Sequence, residues 1–334
     1  MFRRIYYLAK PFTPWHLRIS VRRFFARRKR ARTTEIWPIS KTSAQKPKGW
    51  PGWPEGKQFG FALSHDVEGQ LGVDRVKQLA ELEMEFGFRS SFNFIPEGEY
   101  SVPKELRGWL TENGFEVGVH DLHHDGKLFD SRKIFARKAV KINQYLSKWD
   151  AVGYRSGFML HNLNWFHDLN ILYDASTFDT DPFEPQPDEA DTIFPFWVPK
   201  IDEDSAEARL PIKDMEKRVG SGVKPNNDKS ASKEGYLELP YTLPQDSTMF
   251  LLFREKDCQI WKDKTKWIAE NGGMCLLNLH PDYVRFEGKP TAREFPAENY
   301  KDFLGFVRDH FEHEYCHLLP REIAETYSVR NGGS

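Results

Sequence analysis

The segment His120-Asp121-Leu122-His123-His124-Asp125 carries three imidazoles. His120 and His124 are four residues apart, so within one helical turn they face the same way and can grip one ion. His123 is adjacent to His124, and spacing alone leaves either as the second ligand. Another cluster, Ser64-His65-Asp66-Val67-Glu68, places two carboxylates two residues apart. On a strand that puts both on one face. One of them could join two imidazoles on a metal while the other takes a proton from water. Two His and one carboxylate with an open position form the ligand set of a hydrolytic zinc site. Three more segments hold suitable groups: Tyr154-Arg155-Ser156-Gly157, Tyr173-Asp174-Ala175-Ser176 and Leu279-His280-Pro281. Taken singly, each has a plain structural explanation as a helix cap, an ion-pair partner or a core histidine.

Their joint placement carries more weight. Short apolar runs at Phe59–Ser64, Ser91–Ile95, Phe115–His120, Ala151–Tyr154, Ile171–Ser176, Tyr236–Thr242 and Met274–His280 read as strands. Helical periodicity marks Asp74–Phe86, Ile134–Leu146, Gln259–Ile268 and Tyr300–Phe311. Such alternation implies a mainly parallel sheet with helices outside, open or closed into a barrel. Each candidate residue then falls at the carboxyl end of a strand, the rim where barrel loops converge on substrate.

These segments resemble the polysaccharide deacetylases, the carbohydrate esterases that share the NodB homology domain. The resemblance runs from Phe59 to His280. It implies a distorted (β/α)7 barrel, an α/β fold of the glycoside hydrolase and deacetylase type. It also implies that His120 and His124 bind the metal, with His123 a bystander. The first motif departs from the family's adjacent pair of Asp and resembles an Asp-x-Glu variant. In that variant Asp66 is the catalytic base and Glu68 the third ligand. Arg155 matches the Arg that orients the base, although Gly157 stands where the family has Pro. Asp174 matches the Asp that orients the acid, and His280 matches the acid itself. The implied reaction is loss of an N-acetyl group from an amino sugar in a polysaccharide or glycan precursor, with a divalent metal, Zn2+ foremost. A hydrolase of cyclic amides on the same fold and a glycan-binding module with a retired site are the competing readings. The aromatic run Phe194-Pro195-Phe196-Trp197, above all Trp197, and also Tyr241 are candidates for a sugar-stacking wall.

Composition sets the outer limits. The chain has 334 residues, 39% apolar and 29% charged, with a mean hydropathy of −0.65. No run approaches the length of a transmembrane helix. Cys258, Cys275 and Cys316 are too few and too scattered for a disulfide framework or a Cys-based zinc module. The net charge of −1 hides an asymmetry: residues 1–34 hold eleven Lys or Arg and no acid, leaving −12 for the rest. The expected division is a basic arm and Pro/Gly/Trp linker over 1–56, then the barrel over 57–325. A polar excursion interrupts the barrel at about 200–233. In the arm, Leu17, Val21, Phe24 and Phe25 share a helical face, with Arg and Lys around it and Trp15 nearby. That pattern suits an anionic membrane surface. Packing on the acidic body is the alternative, and nucleic acid ranks behind both as a partner. With no secretory signal read, the expected location is cytoplasmic and peripheral to the inner membrane face.

Overall fold

The computed structural model describes residues 15–201, 210–214 and 234–327. Most of the predicted excursion at 200–233 and the first fourteen residues of the arm lie outside them. Seven parallel strands form one curled sheet: β1 (Phe59–Val67), β2 (Ser91–Phe94), β3 (Glu116–His120), β4 (Gly153–Arg155), β5 (Tyr173–Asp174), β7 (Gly235–Glu238) and β8 (Met274–Leu279). Their spatial order is β8-β1-β2-β3-β4-β5-β7. The backbone N–H groups of Thr242 and Leu243, beyond β7, donate to Leu276 O on β8 at 3.0 and 3.2 Å and draw the two edges together. Helices α2 (Gln70–Glu85), α3 (Lys104–Glu112), α4 (Arg132–Trp149), α5 (Gln259–Asn271) and α6 (Ala297–His310) lie between strands in sequence. This is the α/β, distorted (β/α)7 architecture expected.

All nine residues of β1 are buried, which marks it as the central strand. Its near-continuous apolar run, broken by His65 and Asp66, is what a parallel strand covered on both faces requires. Val73, Val76, Leu79 and Leu82 of α2 pack into the same core as Phe59, Phe61 and Leu63. The helix begins where Asp282 accepts from the backbone N–H of Gly72 at 3.1 Å, a carboxylate at the positive end of the helix dipole.

Several elements were not anticipated, among them α3 and the short pair β9 (Val284–Arg285) and β10 (Phe295–Pro296). β6 (Phe196–Pro199) pairs antiparallel with β7, so part of the aromatic run is an edge strand and not a loop. A π-helix spans Ser247–Phe253. β11 (Tyr315–His317) lies beside the start of β1, and α7 (Pro320–Tyr327) follows it. Most are too short to show a period and are set by tertiary packing.

The linker is packed against the barrel rather than free. Trp53 donates from Nε1 to Gly272 O at 2.9 Å and lays its ring against Gly60 at the start of β1. Trp50 bridges Trp53 and Tyr327, stacking on the latter at 4.8 Å. The three rings close the amino-terminal end of the barrel. A Cβ on Gly60 would come within 2.4 Å of the Trp53 ring. Gly60→Ala should therefore destabilise the chain by about 1–3 kcal/mol through overpacking, read as a lower denaturation midpoint at unchanged slope. An unchanged midpoint would mean that the indole does not plug this end.

Candidate active site

β1, β3, β4 and β8 deliver their last residues to one pocket. Asp66 is only 2% exposed. Asn93, its register partner on β2, donates to Oδ1 at 3.1 Å, and Asn278 on β8 donates to Oδ2 at 2.8 Å. The buried Arg155 guanidinium at the end of β4 holds Nη1 3.6 Å from Oδ2. Burial pushes the Asp66 carboxyl up, but His120, Arg155, His280 and the Asn278 amide outweigh it and hold it at about 2. Asp66 is thus an ionised carboxylate in a nearly dry pocket.

Glu68 lies just past β1 and is partly exposed. Tyr283 donates its hydroxyl proton to Oε2 at 2.6 Å, and the Glu68 backbone N–H donates to Asp282 Oδ2 at 2.9 Å. Oε1 stands 3.2 Å from His124 Nε2 and 3.9 Å from His280 Nε2. Burial raises the Glu68 pKa, but His124, His280 and Tyr283 together drive it well below the usual carboxylate range.

His120 ends β3. Its Nδ1 is 3.1 Å from Arg155 O, and a carbonyl can only accept, so Nδ1 carries the proton and Nε2 a lone pair. That Nε2 is buried with no hydrogen-bond partner. His124 Nε2 instead lies against Glu68 Oε1, and although burial lowers the His124 pKa, that carboxylate outweighs it and raises it. Burial lowers the His120 pKa and favours the neutral ring that a metal ligand needs. One donor atom from each of Glu68, His120 and His124 falls within 4.8 Å of the others. One orphaned imidazole nitrogen, a second imidazole and an ionised carboxylate, all within reach of one point, are a donor set that fits a divalent cation. His123, the other option by spacing, turns away: its Nδ1 lies 3.1 Å from Glu97 O.

His124 reaches this position because β3 gives way to a sharp turn. Asp121 and His124 have φ of 56° and 52°, unusual for side-chain-bearing residues. The His124 ring stacks on Phe158 at 4.3 Å. A Cβ on Gly157 would come within 2.6 Å of Asp121 Oδ2 and 2.7 Å of His124 Cδ2. The departure from Pro at 157 therefore has a steric reason, since a larger residue would displace a donor imidazole.

Asp174 does not hold His280. It accepts from Ser176 Oγ and Ser176 N at 2.8 and 2.9 Å, and burial raises its pKa against the hydrogen bonds from Glu238 and Ser176. The partner of His280 is Asp246, the residue before the π-helix. His280 Nδ1 donates to Asp246 Oδ1 at 2.7 Å, and the His280 backbone N–H donates to Oδ2 at 2.8 Å. Burial lowers the His280 pKa, but the Asp246 carboxylate outweighs it and raises the pKa to about 10. Asp246 was missed although it also lies on the rim, a few residues past the Tyr236–Thr242 run. Asn93, Asn278 and Tyr283 were missed too. Their signal was an amide inside an apolar strand (SFNF, MCLLNLH) and a Tyr just after His280.

The two stacking candidates are not on the cleft. Tyr241 is 1% exposed, with its hydroxyl 3.0 Å from Asp181 and 2.9 Å from Glu184, so its ring has no free face. Trp197 lies in β6 with its ring over Gly235, away from the rim.

No family model matches the sequence, and no curated protein matches it. Solved structures do. A protein from Mycobacterium smegmatis assigned to the polysaccharide deacetylases superposes with a TM-score of 0.56, at 16% identity, over 85% of this chain and 93% of that one. The chain has the fold of the polysaccharide deacetylases. Weaker likenesses include the Bacillus subtilis peptidoglycan deacetylase PdaC, at TM-score 0.41 and 11% identity over 80% and 91% of the two chains. A Bordetella bronchiseptica protein assigned as a polysaccharide deacetylase involved in O-antigen biosynthesis gives 0.40 and 15% over 84% and 89%. On this fold, Glu68 past the end of β1 and His120 and His124 at the end of β3 form the one cluster of metal-suited His and acidic groups found among the described residues.

Asp246 and Asp174 can be separated by titration. In chelator-treated protein, histidine NMR should place the His280 midpoint far above the ordinary value of about 6.5. Stabilisation from the pair is complete below that ordinary value and is lost as pH rises through about 10. Asp246→Asn should lower the midpoint, and Asp174→Asn should leave it elevated. The opposite pattern would restore Asp174 as the partner.

Proposed function

We propose that the chain is a metal-dependent hydrolase that removes N-acetyl groups from an amino sugar in a glycan or glycan precursor. The observation that supports this reading is the convergence of Glu68, His120 and His124 next to ionised Asp66 and protonated His280. Zinc is the proposed ion, because two imidazoles and a carboxylate with an open side are its hydrolytic ligand set. When bound, it would supply Lewis acidity toward an amide carbonyl and toward water.

The remaining steps belong to side chains. Asp66 is held ionised by His120, Arg155 and His280, so it is ready to take a proton from the attacking water. Asn93 and Asn278 fix both of its oxygens and limit the directions from which that proton can come. His280 has one ring nitrogen on Asp246, which leaves Nε2 on the Glu68 side of the pocket. From there it gives its proton to the departing amine and prevents expulsion of an unstable amide anion. Tyr283 and Asp282 position Glu68 through its side chain and its backbone. Glu68 faces both imidazoles, whereas a retired site has no reason to keep the buried His120 Nε2 unpaired beside it.

Acetate release from an N-acetylated chito-oligosaccharide provides the test. Treatment with a chelator should abolish release, and added zinc should restore it. Asp66→Asn and His280→Gln should each lower kcat by about 10²–10⁴-fold with KM little changed. Release that survives chelation, or a fully active Asp66→Asn variant, would contradict the proposal.

A further inference from the structure

The basic arm carries a helix, α1 (Trp15–Arg30), that docks on the barrel by one face only. Ala26 is buried with Trp37, Leu252 and Phe253. Arg23 donates from Nη2 to Leu251 O at 2.7 Å, Lys29 donates to Pro182 O, and Arg30 pairs with Glu255. Arg30 also lies over the Trp37 and Phe253 rings, at 5.0 and 4.7 Å. These anchors occupy positions 23, 26, 29 and 30, a single side of a helix with 3.6 residues per turn.

The opposite side presents Val21, Phe24, Phe25 and Arg28, spaced i, i+3, i+4 and i+7. The first three are 48%, 51% and 61% exposed, among the most exposed large apolar residues described. Phe24 and Phe25 meet edge to face at 5.6 Å, and the Arg28 guanidinium sits 4.1 Å over the Phe24 ring. Arg27 is exposed on the flank, whereas Arg22 lies on the docked side, close enough to Asp181 and Glu184 to favour their charged forms. Folding onto the body would be expected to hide the phenylalanines and expose the arginines. Here arginine, lysine and alanine make the contact and both rings face outward. That is the arrangement of a helix with a second apolar partner.

We propose that this outward face binds the surface of an anionic lipid bilayer, with Phe24, Phe25 and Val21 entering the interface and Arg27 and Arg28 meeting lipid headgroups. Charge complementarity favours this occupant: residues 1–34 hold eleven cations and no anion. An apolar centre with basic flanks matches an interfacial helix, whereas a nucleic-acid surface would use the cations without needing paired rings. The helix is already tied to the barrel, so bilayer binding would fix the orientation of the whole domain. Its landing site is the π-helix whose preceding residue, Asp246, holds His280. The surface therefore lies one element away from the proposed acid, suited to a membrane-linked glycan precursor. The binding claim itself does not depend on the proposed chemistry.

The test uses the full chain and sedimentation with vesicles of phosphatidylcholine alone or with 30% phosphatidylglycerol, about a third of the lipid being anionic as in a charged leaflet. Binding should appear only with the anionic vesicles and weaken with salt. Phe24→Ser/Phe25→Ser should reduce partitioning at least tenfold while the thermal midpoint stays in place, because neither ring is part of the docked face. No binding to anionic vesicles, or binding indifferent to the double substitution, would overturn the proposal. So would tighter binding to duplex DNA than to the vesicles. A dimer in light scattering that the double substitution dissolves would overturn it as well, by assigning the face to a second copy.

Discussion

Asp66 and Glu68 are carboxylates two residues apart at the end of a fully buried strand, and both are held ionised. Burying a charge is costly unless it is paired and hydrogen-bonded. Much of the barrel's rim can be understood as compensation for these two charges. Asn93 arrives from β2, His120 from β3, Arg155 from β4, and Asn278 and His280 from β8. They come from four different strands, so the compensation exists only when the sheet has curled far enough to bring β8, β1 and β4 together. Closure and charge balance support each other. The same electrostatics that stabilise the carboxylates also leave Asp66 ionised and raise the His280 pKa, while burial favours a neutral His120, the states that the proposed chemistry needs.

The compensation is incomplete in one place. His120 Nε2 is buried and unpaired, His124 Nε2 meets only Glu68 at 3.2 Å, and Arg155 leaves Nε and Nη1 without hydrogen bonds. Native interiors rarely leave such atoms alone. The two imidazole nitrogens share a focus with Glu68, and a cation at that focus would satisfy all three donors together. Strained backbone at Asp121, His124, Phe158 and Met159 surrounds the same focus. Strain of this kind persists where surrounding contacts enforce it, commonly around functional groups. The close fit of Gly157 against Asp121 and His124 is part of that enforcement.

Much of this was legible in the primary structure because the rim residues follow apolar strand runs, and strand ends are easy to locate. Asp66, Glu68, His120, His124, Arg155 and His280 all come together. Asp174 misled because it satisfies the same positional rule. What distinguishes it from Asp246 is the direction of its side chain, which Ser176 and Glu238 decide across the sheet. Sequence position carries no information on that choice. Tyr241 failed for a related reason: a Tyr at a strand end can point outward to substrate or inward to acids, and Asp181 and Glu184 draw its hydroxyl inward. Trp197 belonged to β6, an edge strand of four residues whose existence depends on β7 being there to pair with it. The arm's exposed apolar face was visible as a helical stripe, but its anchoring through Arg23, Lys29 and Arg30 depends on carbonyl and carboxylate groups more than 150 residues away.

The central claim is that Glu68, His120 and His124 are ligands of one ion. Anomalous diffraction from crystals of the zinc-reconstituted chain, collected on either side of the zinc absorption edge, addresses it directly. The account predicts a single strong peak among Glu68 Oε1, His120 Nε2 and His124 Nε2, at about 2.0–2.2 Å from each. A map without a peak there, or with zinc bound elsewhere and none on those imidazoles, would contradict it.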